Sequence, residues 1–421
     1  MTENGRDCGI VFDEMSTEEA RVYCPSKDQV IGTTTLPPSD SLATKAIVFM
    51  LVGIGSPWKQ IVGYDFTGNS IPGSALKERV MGIMVKAEEI NLKVHFITSD
   101  SGAKNQRMWK DFGIDFSRGN IMNDLSLVHP LDSSRRLEII PDAVHVFKNL
   151  VHGWLNNVYL TLPEWYVELK KLPSSIVHRA HLKELVSYEH GNQLKMAYTL
   201  KEVDVNFETK MSSVDKMKVS NSTKFCNLDN ASALRFVALE KNNPSLLATA
   251  AYLEDITLWY AMMTNRSEDL SLRLDNPDYY KNVCDHLNQT SQLIYDVRVG
   301  ALGHWKPWKS ALTMCTQTVL RLSDRLLKKG HKIVLTAKFI QDCLESVFSV
   351  VRFKQRRPTS LQFSQIVKII TLTQYMTKVP SSYYMDDQEH LVGLMDLMKV
   401  RRKELLKDKY TKSSEILQPQ E

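Results

Sequence analysis

Residues 335–357 read LTAKFIQDCLESVFSVVRFKQRR, and this stretch decides how the rest of the chain is interpreted. Its polar residues recur at steps of four and three, which predicts one helix with a polar stripe: Lys338, Asp342, Glu345, Ser349, Arg352 and Arg356. An adjoining apolar stripe can pack on a core: Phe339, Cys343, Val347, Val350 and Val351. Taken alone, this is either a half-exposed helix with solvated charges or one that carries two carboxylates to a functional site.

Two distant acidic residues favour the functional interpretation of this helix. Asp13 ends the apolar, strand-like run 8–12, and Asp100 follows the similar run 92–98. A buried strand that stops at an acidic residue delivers that side chain to the edge of a sheet. Carboxylates from two strand ends and a helix, here Asp13 and Asp100 with either Asp342 or Glu345, are what a two-metal phosphoryl-transfer site needs.

Length and composition bound the class of protein. A chain of 421 residues is long for one core, so we expect two or three domains. The net charge of +5 permits a nucleic-acid partner without requiring one. The six cysteines include no C-x-x-C pair, which disfavours a zinc site of the usual spacing and a disulfide framework and predicts reduced thiols in an intracellular protein. The polar N-terminus is not a signal peptide, and the longest apolar run, 46–54, is too short to span a membrane.

Strand and helix signals alternate over the first part of the chain. After the run 8–12 come a turn-rich segment, a strand over 45–53 with a hairpin partner over 60–65, a helix over 73–90 with Ser74 as a candidate N-cap, a strand over 92–98 and a helix over 105–112. This is the order of an RNase H-like core. A further helix over 142–156 carries Lys148 on its polar side, where Lys148 could face a phosphate.

Beyond residue 155 the strand signals vanish and helical patterns take over. We predict helices over 164–171, 182–189, 231–240, 244–263, 279–300 and 309–329. The fold class is therefore α/β, an RNase H-like core interrupted by a large, mostly helical insertion. The predicted domains are residues 1–154, the insertion 155–330, the C-terminal helices of the core 331–376 (the last over 360–376), and a basic tail 377–421, which either frays or lies along a phosphate backbone.

Five motifs follow one another along the chain: FDEMS (12–16), SDSGAKNQRMW (99–109), DAVHVFKN (142–149), DKMKV (215–219) and LTAKFIQDCLESVFSVVR (335–352). Together they resemble the P element family of DNA transposases, which includes vertebrate relatives with an N-terminal THAP zinc finger. The resemblance implies an RNase H-like catalytic domain interrupted by a helical GTP-binding domain. It also implies a nuclear protein that cleaves DNA at transposon ends with a metal ion and joins it to target DNA, and it leaves a homo-oligomer open.

The resemblance also implies roles for particular residues. Its catalytic and metal-binding carboxylates correspond to Asp13, Asp100 and Glu345, and Asp342 corresponds to a fourth acid near the catalytic and nucleotide regions. Oxygen ligands without a Cys or His cluster suit Mg²⁺ or Mn²⁺ rather than zinc.

The remaining assignments concern GTP and DNA. Lys216 and Lys218, with Asp342, are the candidates for nucleotide contacts, although no Walker A sequence is present and the lysines also fit a solvated face. Arg352 and Arg356 lie on the stripe of Glu345 and could hold DNA phosphates, as could Lys148.

One departure from the family keeps three hypotheses open. The family carries a THAP finger, a coiled coil and a helix-turn-helix upstream of the DEM motif, whereas Asp13 lies near the start of this chain, so we expect a fragment, a decayed copy or a domesticated remnant. The first hypothesis, favoured by the three retained acids, is an active transposase-type nuclease and strand transferase. The second is a transposase-derived nuclear protein that binds DNA or partners without catalysis. The third is a nucleotide-binding regulatory protein that uses only the insertion.

Overall fold

The computed structural model describes residues 2–191, 193–208 and 218–376. The strands, in chain order, are β1 (Asp7–Ser16), β2 (Val22–Cys24), β3 (Gln29–Ile31), β4 (Thr33–Thr35), β5 (Pro38–Leu42), β6 (Lys45–Gly53), β7 (Lys59–Thr67), β8 (Lys93–Ser99), β9 (Leu127–His129), β10 (Asp132–Pro141), β11 (Tyr159–Thr161), β12 (Ile176–His178) and β13 (Arg298–Val299).

The helices, in chain order, are α1 (Gly73–Glu89), α2 (Ala103–Asp111), α3 (Ala143–Asn156), α4 (Glu164–Leu169), α5 (Ala180–Tyr188), α6 (Val219–Phe225), α7 (Leu228–Glu240), α8 (Leu246–Met263), α9 (Pro277–Asp296), α10 (Pro307–Lys328), α11 (Asp342–Lys354) and α12 (Ser360–Met376). Short 3-10 helices cover Asn4–Arg6 and Thr336–Phe339.

The main sheet has six strands in the order β7-β6-β1-β8-β10-β9. Strands β1 and β10 both run parallel to β8, and β9 returns antiparallel to β10. Strand β6 is buried from Ala46 to its end, as expected for a strand in the interior of a sheet that is covered on both faces. The prediction of a mixed α/β fold is therefore confirmed.

The chain divides into two compact units. The first comprises Met1–Phe12, Phe49–Val62 and Ile71–Gln341, and the second comprises Asp13–Val48, Gly63–Ser70 and Asp342–Glu421, as far as these ranges are described. The division passes through β1, β6 and β7, so each of these strands contributes residues to both units. The second unit has an aromatic cluster of its own, in which Phe363 of α12 packs edge-on against Tyr64 and Phe66 of β7.

The region predicted to be free of strands contains a small three-stranded sheet in the order β12-β11-β13. The prediction was wrong here because two- and three-residue strands are too short to show an alternating pattern. The predicted turn-rich segment likewise contains the hairpins β2-β3 and β4-β5. The six helices predicted for this region are present, with ends shifted by a few residues.

Three further expectations need correction. The helix predicted from residue 335 begins only at Asp342, because Ile340 is extended (φ −106°, ψ 167°) and the preceding residues form a 3-10 helix. Arg356 and Lys338 therefore lie outside α11. Strand β1 continues through Asp13 to Ser16 rather than ending before it. Helix α1 begins at Gly73 after an N-cap at Pro72, so Ser74 is not its cap.

Other expectations hold. The apolar stripe predicted for α11 is buried, namely Cys343, Val347, Val350 and Val351. All six cysteines are free thiols. Within the described residues, no helix combines the length and the apolar character needed to cross a membrane.

Candidate functional site

Asp100 lies immediately after β8 and is held by the turn that follows it. The Asp100 Oδ1 atom accepts a hydrogen bond from the backbone N–H of Gly102 (2.9 Å) and another from the side-chain amide of Asn105. A Cβ atom on Gly102 would lie 2.9 Å from the same oxygen, so the glycine of the SDSG motif permits this close approach. Among the described residues, Oδ2 of Asp100 accepts no hydrogen bond, and one carboxylate oxygen is thus available to a ligand.

Asp142 is a second carboxylate in the same unit, and it has two structural roles. Its Oδ2 atom accepts the N–H of His145 (2.8 Å) and thereby caps α3. Its Oδ1 atom accepts the N–H of Gln341 (2.8 Å), just before α11 begins. Burial opposes the charged form, but the hydrogen bonds from His145 and Gln341 hold the pKa of Asp142 below its usual value.

Gln341 also fixes the end of the first unit through its side chain. Its Nε2 atom donates to the carbonyl oxygen of Phe12 (2.6 Å), the residue before Asp13. Two residues before Gln341, the carbonyl oxygen of Phe339 accepts a hydrogen bond from the hydroxyl of Thr98 on β8 (2.8 Å). These buried contacts set where the chain leaves the first unit, so they determine where α11 starts.

Asp13 belongs to the second unit and lies within β1. Neighbouring residues of a strand point to opposite faces, so Asp13 and Glu14 face opposite sides of the sheet. The Glu14 carboxylate is nearly buried and pairs with Lys45 of β6 (3.1 Å), which gives Glu14 a structural partner on its own face. Asp13 is half-buried. The strand therefore distinguishes the two acids of the DEM motif.

Asp342 and Glu345 occupy the first turn of α11, and both are half-buried. Acidic groups are favourable there because the unpaired N–H groups and the helix dipole place positive charge at the N-terminus. At the other end, Arg352 and Lys354 complement the opposite pole. The predicted stripe is thus real from Asp342 to Arg352, and its two acids lie on adjacent positions of one helical turn.

A basic groove of about 520 Å³ lies within the second unit. It is lined by Ser16, Glu18, Arg352, Gln355, Arg356 and Arg357. Arg352, Arg356 and Arg357 are exposed, and the Arg357 Nε atom donates to the carbonyl oxygen of Thr17 (3.2 Å). The groove concentrates guanidinium groups, which bind phosphate oxygens through paired N–H donors.

The described lysines that were predicted to contact phosphate or nucleotide do not line the basic groove. Lys148 exposes only 6% of its surface, so it presents little charge to a phosphate. Lys218 is the N-cap residue of α6, and Lys216 lies outside the described residues, as does the predicted basic tail.

The chemistry of the donor set fits a hard divalent cation, because Asp13, Asp100, Asp342 and Glu345 offer oxygen atoms only. In the part of the chain that the structure describes, no group of three or more His, Cys, Asp or Glu side chains is arranged to hold a metal ion. Asp100 lies in the first unit, whereas Asp13, Asp342 and Glu345 lie in the second. The metal site therefore stays a prediction.

Sequence reasoning missed the residues that support the site. Asn105 holds Asp100, and Asp142 caps the start of α3. Gln341 fixes the start of α11. An Asp followed by a helical pattern was the available signal for the cap at Asp142. Nothing in the local sequence pairs Asn105 with Asp100 or Gln341 with Asp142.

Comparison with known proteins gives concordant matches. Residues 1–113 match the family model described as TNP-like, RNase H N-terminal domain. The Transposable element P transposase of Drosophila melanogaster is 24% identical over 400 residues, which cover 92% of this chain and 48% of that protein. The DNA transposase THAP9 of Homo sapiens is 23% identical over 240 residues, which cover 55% of this chain and 24% of that protein.

Among solved structures, the Drosophila P element transposase strand transfer complex matches with a TM-score of 0.71 and 20% identity. The match covers 90% of this chain and 79% of that chain. The chain spans about half the length of the first curated relative. These matches confirm the RNase H-like fold and the homology that the five motifs indicated.

Proposed function

This chain is a homologue of the P element-type DNA transposases, and on that premise we propose that it is a metal-dependent DNA-cleaving and strand-transferring enzyme. The observation that carries the proposal is the arrangement at Asp100, where Gly102 and Asn105 fix one carboxylate oxygen at a strand end and leave the other available. Because the Asp100 side chain is already fixed, it loses little conformational freedom when it binds a ligand. Such preorganisation is what catalysis requires.

We assign the metal-binding and catalytic roles to Asp13, Asp100 and Glu345, with Asp342 as an auxiliary acid. When bound, Mg²⁺ or Mn²⁺ would supply charge neutralisation at the scissile phosphate and activation of the attacking oxygen. The protein itself orients these carboxylates. Asn105 and Gly102 orient Asp100, and the first turn of α11 presents Glu345.

DNA is the proposed partner, both as transposon ends and as target, and the nucleus is the proposed location. The arginines of the basic groove support this assignment, since Arg352, Arg356 and Arg357 line one continuous surface. Contacts to phosphates position DNA without reading its sequence. Lys148 is the weakest of the proposed DNA contacts because of its burial.

GTP is a further part of the proposal, with Lys218 and Asp342 as candidate contacts and Lys216 as a third. It rests on the resemblance of the motifs in the insertion and has no supporting geometry in the described residues. The proposal of a homo-oligomer likewise rests on the resemblance alone.

The deciding experiment measures nicking of supercoiled plasmid DNA by the purified chain with Mg²⁺ or Mn²⁺. We expect Glu345→Gln and Asp100→Asn each to reduce the rate at least about 100-fold, since each would remove a group that acts in the transition state. The matched control is Asp40→Asn, which neutralises an exposed acid of β5 and should leave the rate unchanged.

Two outcomes would count against this catalytic assignment. A Glu345→Gln variant that folds normally and keeps the wild-type rate would remove Glu345 from the site. The other outcome is a wild type that binds DNA without nicking it, together with Mn²⁺ calorimetry that shows no binding sensitive to Asp13→Asn and Asp100→Asn. That pair of results would favour the transposase-derived protein that binds DNA without catalysis.

A further inference from the structure

A second concavity, separate from the basic groove, lies in the first unit beside α2. It has a volume of about 220 Å³ and is lined mainly by aromatic and apolar side chains. Its walls include Gln106, Trp109, Phe116, Arg118, Trp305 and Met314. The volume is below the roughly 300–1,000 Å³ of pockets for drug-sized ligands, so it suits a single flat ring system.

Positive charges accompany the aromatic rings of this pocket. The Arg118 guanidinium lies 5.1 Å from the centroid of the Trp305 ring, and the Lys110 ammonium lies 5.6 Å from that of Phe116. Trp109 packs edge-on against Phe116, with ring centroids 5.6 Å apart. Aromatic faces interleaved with Arg and Lys are the arrangement that binds unpaired bases, because the rings stack on the base while the cations attract the backbone.

Trp305 is held in place by several neighbours. Its indole N–H donates to Ser310 Oγ (3.1 Å), and the ring of Tyr295 packs against it at 69°. The buried Lys309 ammonium lies 4.4 Å from the Trp305 centroid and donates to the carbonyl oxygen of Val297 (2.7 Å). Trp305 is nevertheless only half-buried, so part of its ring faces the pocket.

The pocket is connected to Asp100 through one turn of α2. The Gln106 side-chain amide donates to the carbonyl oxygen of Ser101 (2.8 Å), the residue after Asp100. Gln106 therefore belongs to both places, as a wall of the pocket and as a support of the turn that holds Asp100. The aromatic wall therefore lies within one helical turn of the residues that hold Asp100.

We propose that this pocket binds one unpaired nucleobase of a DNA strand, stacked against Trp305 and Arg118. The proposal rests on the proposed DNA-processing function and adds a subsite for single-stranded DNA next to Asp100. Asp115 in the neighbouring loop is an ionised carboxylate, because hydrogen bonds from Ser117 and Asn120 and the nearby charge of Lys110 hold its pKa below the usual value; the positive charge of Lys110 offsets part of its repulsion of a phosphate.

The test compares three labelled DNA probes by fluorescence anisotropy without metal ions: a blunt duplex, the same duplex with a short thymine overhang, and the same duplex with an abasic overhang. We expect the wild type to bind the thymine overhang about 5- to 150-fold more tightly than the abasic one, the range of stacking on an aromatic side chain. Trp305→Ala should remove this preference and leave blunt-duplex binding unchanged, and Trp305→Phe should retain much of it.

A second readout does not depend on affinity alone. A 2-aminopurine in the overhang should lose fluorescence when it stacks in the wild-type pocket and keep it with Trp305→Ala. Arg118→Ala, at an exposed position, provides a second variant if Trp305→Ala does not fold, and Tyr23→Ala is the control for an exposed aromatic residue in another part of the chain.

The possible failures are distinguishable. If blunt duplex is bound but the thymine and abasic overhangs bind equally, the pocket does not take a base, and the proposed function stands. The same conclusion follows if folded Trp305→Ala and Arg118→Ala both keep the full preference. If no probe binds at all, the proposed DNA-processing function itself is overturned together with the subsite.

Discussion

At the scale of single residues, Asp142 shows how one carboxylate can join two distant parts of the chain. One of its oxygens caps α3, and the other binds the backbone of Gln341, which is 199 residues away. The side chain is 1% exposed, so water cannot replace either partner. A buried backbone N–H that loses its acceptor costs more than a lost surface hydrogen bond.

We therefore expect Asp142→Ala to lower the free energy of unfolding by about 2–4 kcal/mol, the sum of a lost cap and an unpaired buried N–H group. The matched control is Asn276→Ala, because the Asn276 side chain caps α9 at an exposed site by accepting the N–H of Tyr279 (3.1 Å). That variant should lose only about 1 kcal/mol. Urea unfolding measures both values, and equal losses would contradict the second role of Asp142.

At the scale of elements, α3 and α10 approach closely at a glycine. A Cβ atom on Gly153 of α3 would lie 2.3 Å from the Trp308 indole nitrogen of α10. Glycine inside a helix ordinarily costs about 0.5–1 kcal/mol relative to alanine. The close approach of Trp308 accounts for a glycine in this position despite that cost.

Two Gly→Ala variants should consequently have opposite effects on stability. Gly153→Ala should destabilise the protein by about 1–3 kcal/mol, because the added methyl group overpacks the contact with Trp308. Gly82→Ala in α1, where nothing lies within 4 Å of the added Cβ, should stabilise it by about 0.5–1 kcal/mol. Thermal unfolding of the two variants checks the signs, and stabilisation by Gly153→Ala would show that the helices can move apart at little cost.

The elements also show which parts of the fold the sequence can predict. Strand β6 and helix α12 occur at the predicted positions, because a long apolar run and a regular helical period are local signals. Strand β10 was missed, since its first half is polar and exposed and only residues 137–141 are buried. The start of α11 could not be predicted, because the partners of Gln341 lie 199 and 329 residues away.

In the candidate site, too, the local signals could be predicted and the contacts between distant residues could not. Asp100 was identified because the strand before it is a local apolar pattern, and β8 does end at Ser99. Asp13 was placed after a strand, whereas β1 includes it, because the polar pair Asp13–Glu14 looked like a strand end. Within the strand, Glu14 pairs with Lys45 of β6, and a single sequence does not reveal such pairs.

At the scale of the whole molecule, a buried ion cluster joins the beginning of the first unit to its end. Asp7 at the start of β1 is fully buried and binds His95 (2.8 Å), His331 (2.7 Å) and Lys329 (2.6 Å). Burial opposes the charge on Asp7, but the hydrogen bonds from His331, His95 and Lys329 hold its pKa well below the usual range.

This cluster predicts a loss of stability in acid. An aspartate with a lowered native pKa contributes stability above its unfolded pKa of about 3.9 and loses that contribution as the pH falls further. Asp7→Asn should cost about 3–5 kcal/mol at pH 7, the range for breaking a buried ion pair, and the difference from the wild type should shrink below about pH 4. Urea unfolding across pH measures this difference, and a difference independent of pH would exclude charge on Asp7 as its source.

The late position of residues 335–341 has a consequence for synthesis on the ribosome. Thr98 and Phe96 of β8 acquire Phe339 as a partner, and Asp142 acquires Gln341, only after 199 or more further residues have been added. At about 5–20 residues per second, that wait is roughly 10–50 s. During this interval the nascent chain holds an unfinished core, and a premature stop codon before residue 335 would leave it unfinished in the released protein.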